Sequence, residues 1–477
     1  MRTNTKPGWV LALTSCASLM VLLDAMVVTT ALNTIRRDLG ATIEQLEWTV
    51  NAYTLTFAVL LVTAAALGDR YGRRRLFIIG LSVFTLASGA CALAPGIGAL
   101  IAARTVQGAG SAMVMPHAMA LLAAAYPAER RARALGIFSS VSGLATLGGP
   151  IVGGAIAQGG SWQWIFWLNI PIGAVLIPLG RTRIPESTAP AGRLDFGGLA
   201  LAMTGTLGLV WGLVKANSLG WSSPQVLGSL AVGALGLAAF VAWELRVDRP
   251  MLPMRLFARR GFAAGNASGF LLYIPVFGVV FLMAQFFQVT EHTGPLGAGL
   301  RTLPWTGMLF LVAPVAGALI NRVGERPLVM YGLIGQAIGF GALALLATAD
   351  RPYSELILPL IVAGSGVSLA MPAAQNATLG SVPRESIGTA SGTFNTLRQF
   401  GGVLGVAVLA AVFSARGGYA SATAFAAGFR PALLVAMLLS LLGAVIGRWI
   451  PARPVVSEVA APTVPQQSAV EARVGAR

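Results

Sequence analysis

Apolar residues in this chain come in long runs broken by short polar punctuation. Fourteen such runs can be marked, at about 9–33, 48–67, 76–95, 98–122, 133–156, 163–180, 196–216, 224–244, 262–287, 300–320, 327–347, 355–379, 387–414 and 430–450. A helix rising 1.5 Å per residue crosses roughly 30 Å of hydrocarbon in about 20 residues, so each run is long enough to span. The pattern predicts an all-α integral membrane protein of fourteen transmembrane helices with short loops. The segment 451–477, rich in Pro, Ala, Val and Gln, reads as a disordered tail. Composition agrees: 56% of residues are hydrophobic, 10% are charged, and mean hydropathy is +0.75, which excludes a soluble globular domain.

The net charge of +16 would suggest nucleic acid or acidic lipid in a soluble protein. Here most of the 33 Lys and Arg fall in the N-terminus, in alternate loops and at the end of the last helix. That asymmetry follows the positive-inside rule and predicts both termini, with the tail, in the cytoplasm. It makes the lipid bilayer the partner and argues against nucleic acid. Cys16 and Cys91 both sit in apolar helices and imply no disulfide framework. The first apolar run continues to about Leu32, too long for the core of a signal peptide, so it reads as a span.

Sliding the chain by 256 residues exposes an internal repeat. Gly108 and Gly110 fall on Gly364 and Gly366, Met115-Pro116 on Met371-Pro372, and Gly136, Phe138 and Gly149 on Gly392, Phe394 and Gly405. A slightly different offset brings Asp69-Arg70-Tyr71-Gly72 onto Asn321-Arg322-Val323-Gly324. Two parallel six-helix halves, 1–180 and 261–450, are expected, with an inserted two-helix linker at 181–260. Asp24 and Arg104 have no charged counterparts in the second half, and Arg398 has none in the first.

Asp24, in LMVLLDAMVVTTAL, is the one acid expected near mid-bilayer. A carboxylate there costs roughly 2.5–3.5 kcal/mol to insert and needs a reason, such as a proton relay or a cation site; the plainer reading is a protonated carboxyl hydrogen-bonded in the bundle. Arg104, with Gln107 one turn on and Gly108 and Gly110 making room, is a buried guanidinium able to tune a nearby carboxylate or, alternatively, an arginine reaching for the interface. In ALGDRYGRRRLF, Asp69, Arg70, Gly72, Arg73 and Arg74 can form a charged latch at the cytoplasmic side, beyond a role in topology. Gly136, Ala145, Gly149-Pro150 and Gly153-Gly154 make a small-residue face with a proline break, suited to a bend or a seal. Trp48, Tyr53, Phe281, Phe286 and Arg398 are candidates for lining a substrate cavity, with packing an equal alternative for the aromatics. His117 and His292 read as a packed and a solvated histidine. No catalytic, metal-binding or phosphate-binding motif is found, so no enzyme activity, metal or ATP-driven step is expected.

Taken together these segments resemble the fourteen-span drug:proton antiporter family of the major facilitator superfamily. ALGDRYGRRRLF resembles its loop 2–3 motif, with Ala65 where glycine is usual; Arg104, Gln107 and Gly108 resemble its helix 4 motif; and Gly136 through Gly154 resemble its antiporter motif, with Ala145 replacing a glycine. Asp24 resembles the family's helix 1 acid, although Asn33 stands where proline is frequent, and WQWIFWLNIPIGA resembles a further segment with Gln163 for a common arginine. The resemblance implies the major facilitator fold, alternating access, and export of amphipathic drugs or antibiotics from the bacterial cytoplasm. It implies no cofactor, a proton gradient as the energy source, proton coupling through Asp24, Arg104 and Gln107, and a monomer. A narrower exporter of a self-made metabolite, antibiotic or siderophore is the alternative.

Overall fold

The computed structural model describes residues 7–159, 161–188, 195–247, 250, 254–348, 351–383 and 387–452; some side chains within its helices, Asp69 among them, are also outside the description. The expected disordered tail falls almost wholly outside the described residues. Among those residues there is no strand. The long helices are α1 (Pro7–Leu39), α2 (Ile43–Tyr71), α3 (Arg73–Ala92), α4 (Ile97–Ala125), α5 (Ala128–Gly159) and α6 (Trp164–Arg183). They continue as α7 (Phe196–Leu219), α8 (Pro224–Glu244), α9 (Arg260–Thr290), α10 (Pro295–Gly317), α11 (Glu325–Leu346), α12 (Tyr353–Gly380), α13 (Ile387–Ser414) and α14 (Ala422–Gly447). Twelve of them, all but α2 and α5, contain described segments long and apolar enough to cross a membrane. The fold is therefore an all-helical, multi-span bundle.

Several helix limits differ from the hydrophobic runs, for local reasons. α2 begins at Ile43 rather than 48 because Thr42 and Gln45 form a capping box that satisfies the first free backbone donors. α6 breaks at Leu168, where Pro171 cannot donate to Trp167. α10, expected to be continuous, is a broken helix with interruptions at Thr302, Gly307 and Val312, consistent with Pro304 and Pro314. Gly72 and Gly324, matched by the sequence repeat, both sit at positive φ (110° and 81°) in tight inter-helix turns.

Antiparallel neighbours joined by short turns give the bundle two ends: proximal, where α1 begins and α14 finishes, and distal. α9 lies at the centre, with 78% of its most apolar window buried, whereas α8 lies at the rim with 22%. α7 and α8 pack on each other, and α7 also fits between α2 and α13, where Leu55 and Val59 share a buried cluster with Val210, Val214, Val403 and Ala407. At the distal end α5 meets α10 backbone to backbone. A Cβ on Gly154 would lie 2.6 Å from the Leu296 Cα, and one on Gly299 would lie 2.8 Å from the Pro150 carbonyl carbon.

Nothing at this crossing can yield, since the obstructing atoms are backbone. Gly299→Val is therefore expected to destabilise the closed bundle by about 1–3 kcal/mol, the usual range for overpacking. Thermal unfolding of the detergent-solubilised protein checks this, with an unchanged melting temperature counting against the close crossing.

Candidate functional site

Asp24 and Arg104, 80 residues apart in sequence, meet inside the bundle: the Arg104 Nη1 lies 2.5 Å from the Asp24 Oδ2. Both are buried, at 2% and 1% exposure, so the pair has no water to screen it. Helical geometry supplies the remaining partners. Gln107, one turn along α4, accepts from Arg104 Nη1 at 2.8 Å and donates to Asp24 Oδ1 at 3.0 Å. Asn169 of α6 donates to the same Oδ1 at 2.9 Å and to the Ser88 hydroxyl of α3 at 2.9 Å, and Ser88 donates to the Phe166 carbonyl. Arg104 Nε donates to the Thr49 carbonyl of α2 at 3.3 Å, and its guanidinium lies 4.1 Å from the centre of the Tyr53 ring. The Tyr53 hydroxyl is within hydrogen-bond distance of the Ser111 hydroxyl (2.8 Å) and donates to the Val21 carbonyl at 3.2 Å. Gly108 is required here, because a Cβ would collide with the Tyr53 backbone. One ion pair thus ties together α1, α2, α3, α4 and α6.

The glycines expected to seal or bend α5 face other helices. A Cβ on Gly149 would strike Met26 and one on Gly153 would strike Val27 and Thr30 of α1, while Gly154 meets α10. Pro150 lies inside α5, and the surroundings of Gly136 fall outside the described residues. Polar contacts reinforce the same distal seam: Gln288 of α9 donates to the Thr30 carbonyl at 2.9 Å, Gln158 Oε1 accepts from Leu296 N at 3.3 Å, and the Arg36 guanidinium lies 4.3 Å from the Tyr419 ring centre.

At the proximal end the charged loop is organised by Glu186, a residue the motif reading did not single out. Its carboxylate accepts from Arg74 N at 2.8 Å and sits 3.7 Å and 4.0 Å from the side-chain nitrogens of Arg74 and Arg75. Arg73 N donates to the Ser187 carbonyl, Arg74 Nη1 donates to the Ile184 carbonyl, and Gly72 lies so close to Glu186 that a Cβ would meet its carboxylate at 2.8 Å. Arg70 lies 5.4 Å from the ring of its neighbour Tyr71, and the Asp69 side chain falls outside the description.

The five cavity candidates separate in space. Tyr53 belongs to the Arg104 network. Trp48 is half-buried beside the α2–α13 cluster. Phe281 and Phe286, at 0% and 1% exposure, present no face to a cavity in this state; Phe286 stacks on Phe429 at 4.8 Å. Arg398 lies 5.7 Å from the Tyr273 ring and its Nε has no hydrogen-bond partner among the described residues. A cavity of about 390 Å³ between α13 and α14, lined by Trp221 and Arg416 among others, includes none of them. Asp24 is not the one buried acid. Glu47 is 2% exposed inside α2, because the Thr42 cap starts that helix early enough to draw it in.

Among the described residues no group of three or more His, Cys, Asp or Glu could hold a metal. What the central site offers is a buried carboxylate matched to one guanidinium and to the amides of Gln107 and Asn169. Asp24→Asn strands the Arg104 charge and is expected to cost about 3–5 kcal/mol. Asp24→Asn with Arg104→Gln should recover a large part of it. A double-mutant cycle on thermal unfolding reads the coupling, and additive losses would show the pair to be energetically unlinked.

The profile of the Major Facilitator Superfamily matches residues 14–406. "Multidrug resistance protein Stp" of Mycobacterium tuberculosis (strain CDC 1551 / Oshkosh) is 36% identical over 398 residues, 83% of this chain and 74% of that protein. The "Tetracenomycin C resistance and export protein" of Streptomyces glaucescens is 32% identical over 402 residues, 84% of this chain and 74% of that protein. Among solved structures, a POT family transporter bound to 5-aminolevulinic acid superposes with a TM-score of 0.69 at 14% identity, covering 92% of this chain and 94% of its own, a likeness of fold alone. With a matching profile over most of its length, relatives above 30% identity and the bundle just described, the chain belongs to the Major Facilitator Superfamily.

Proposed function

We propose that this protein exports amphipathic drugs or antibiotics across the bacterial cytoplasmic membrane in exchange for protons, by alternating access. The observation that carries the reading is the fully buried Asp24–Arg104 pair, a charged switch placed where an inert scaffold would have an apolar core. The relatives named for multidrug resistance, tetracenomycin C and methylenomycin A support the substrate class. Adding α2 and α5 to the twelve candidate spans makes fourteen, arranged as halves over 1–180 and 261–450 around the 181–260 pair. The positive-inside pattern puts the proximal end in the cytoplasm and the distal seam outside.

In this mechanism the distal glycine crossings and the Gln288, Gln158 and Arg36 contacts close the outer side, so substrate enters from the cytoplasm or inner leaflet. A proton arriving at Asp24 neutralises it and removes the match to Arg104, whose guanidinium retains Gln107, the Thr49 carbonyl and the Tyr53 ring. The five helices held by the pair then repack, which biases the bundle between its two states. Asp69 with Arg70, Arg73 and Arg74, on the turn that Glu186 already holds in this state, latches the cytoplasmic side in the opposite half-cycle. The chain works as a monomer without a cofactor; the proton gradient supplies the energy.

A narrower reading, export of a self-made metabolite, draws on the relatives "Tetracenomycin C resistance and export protein" and "Probable actinorhodin transporter". Both readings are separated by efflux from proteoliposomes under an imposed proton gradient, using a panel of lipophilic dyes and antibiotics. Wild type should export several panel members, and Asp24→Asn at equal reconstitution should lose at least about tenfold in rate, equivalent to about 1.4 kcal/mol. Equal rates in both proteins would remove Asp24 from the coupling step; export of nothing in the panel would favour the narrow substrate.

A further inference from the structure

The chain carries a second buried carboxylate that the Asp24 network leaves unused. Glu47 is 2% exposed in α2, and its Oε2 has no hydrogen-bond partner among the described residues. One turn on, Asn51 is fully buried with neither the oxygen nor the nitrogen of its amide partnered. Positions i and i+4 share a helix face, so a carboxylate with an unpartnered oxygen and an unpartnered amide share one buried face near the distal end of α2. Buried polar groups are nearly always hydrogen-bonded, and two such neighbours together are a departure that calls for a cause.

Their surroundings come from several elements. Tyr419, in the connection between α13 and α14, donates to Gln285 of α9. Burial pushes its hydroxyl above the usual tyrosine range; the Arg36 guanidinium pulls against this and the Glu47 carboxylate adds to it, so all three lie within electrostatic reach. Arg36 of α1 turns its guanidinium onto the Tyr419 ring, 4.3 Å from its centre, and makes no ion pair with Glu47. On α2 itself, Glu44 is held by Lys215 of α7 at 2.6 Å. Two residues inward of Glu47, the Thr49 carbonyl is the anchor of Arg104, which is committed to Asp24. Among the described residues no cation near Glu47 is therefore placed to pair with it while the seam is closed.

An ionised carboxylate buried without a partner costs several kcal/mol, which its protonation removes. The geometry points to Glu47 as a second proton-carrying carboxyl: the outer seam closes over it only in its protonated form, so each closure carries a proton inward. When the seam opens, Tyr419 withdraws with the second half, water reaches Glu47, and Arg36 is released from the ring to face the carboxylate as it ionises. Through Glu47 the closed state holds one proton more than the open state, so this site by itself makes the closed-to-open ratio rise as pH falls, by up to about tenfold per pH unit for one linked proton. The direction of proton flow rests on the export reading above; the linkage of protonation to closure does not.

The test is a distance measurement across the seam in the full chain, reconstituted in nanodiscs without substrate. Spin labels go on Leu93→Cys and Arg351→Cys, both exposed, in a Cys16→Ala background that keeps the buried Cys91. Wild type should move from a long-distance to a short-distance population between about pH 8 and about pH 5. Glu47→Gln, a permanent mimic of the neutral acid, should remain in the short-distance population at both pH values. Glu47→Asp should keep a pH-dependent shift, and its size-exclusion profile should match wild type. Glu47→Gln following pH as wild type does, or staying open throughout, overturns the proposal. A Glu47-dependent closure in a protein that exports none of the panel under a proton gradient would instead count against the drug-export reading and leave this one standing.

Discussion

The buried Asp24–Arg104 pair constrains the rest of the first half of the chain. Two opposite charges taken out of water are tolerable only with good mutual geometry and with their remaining hydrogen-bonding capacity met. Five helices contribute to that requirement: α1 the acid, α4 the guanidinium and Gln107, α6 Asn169, α3 Ser88, and α2 the Thr49 carbonyl and the Tyr53 ring. A change of charge at Asp24 therefore cannot remain local. It alters a junction in which helix positions are set by polar contacts, whereas most of the surrounding surface is apolar and carries little directional preference.

Close helix approach does the complementary work at the distal end. Inside a bilayer, helices gain little by hiding apolar side chains from lipid, so contact area and backbone proximity decide which surfaces associate. Gly149, Gly153 and Gly154 on α5 and Gly299 on α10 remove the Cβ atoms that would hold α1, α5 and α10 apart. Few long side chains interlock across a tight seam of this kind. Polar contacts from Gln288, Gln158 and Arg36 are fewer and replaceable by water, which suits a surface that opens.

Asp24 and Glu47 occupy contrasting environments. Asp24 is over-provided with donors, from Arg104, Gln107 and Asn169, whereas Glu47 has an oxygen with none. The first carboxylate has its hydrogen-bonding capacity met in the closed bundle, the second does not. At the proximal end, Glu186 shows a third use of an acid, collecting backbone and side-chain donors around the positive-φ turn at Gly72. It stands in water-accessible surroundings, where each contact is worth little alone and the geometry matters more than the energy.

Much of this was legible along the chain. Apolar run length set the membrane class and placed most helices, since only an internally hydrogen-bonded helix satisfies its backbone in hydrocarbon. The cost of a buried charge was enough to single out Asp24, Arg104 and Gln107, and the small-residue run in α5 announced a close crossing. The tertiary structure alone decided which side chains complete the network. Asn169 is 145 residues from Asp24 and Glu186 is 112 from Arg74, and contacts at such separation depend on helix rotation and packing that no local pattern records. Phe281 and Phe286 went to the packed interior, and Tyr53 to Arg104, for the same reason: an aromatic ring suits a core and a cavity equally well on paper. Glu47 was missed at a helix boundary, where one threonine cap outweighed hydropathy and drew an acid into the bundle.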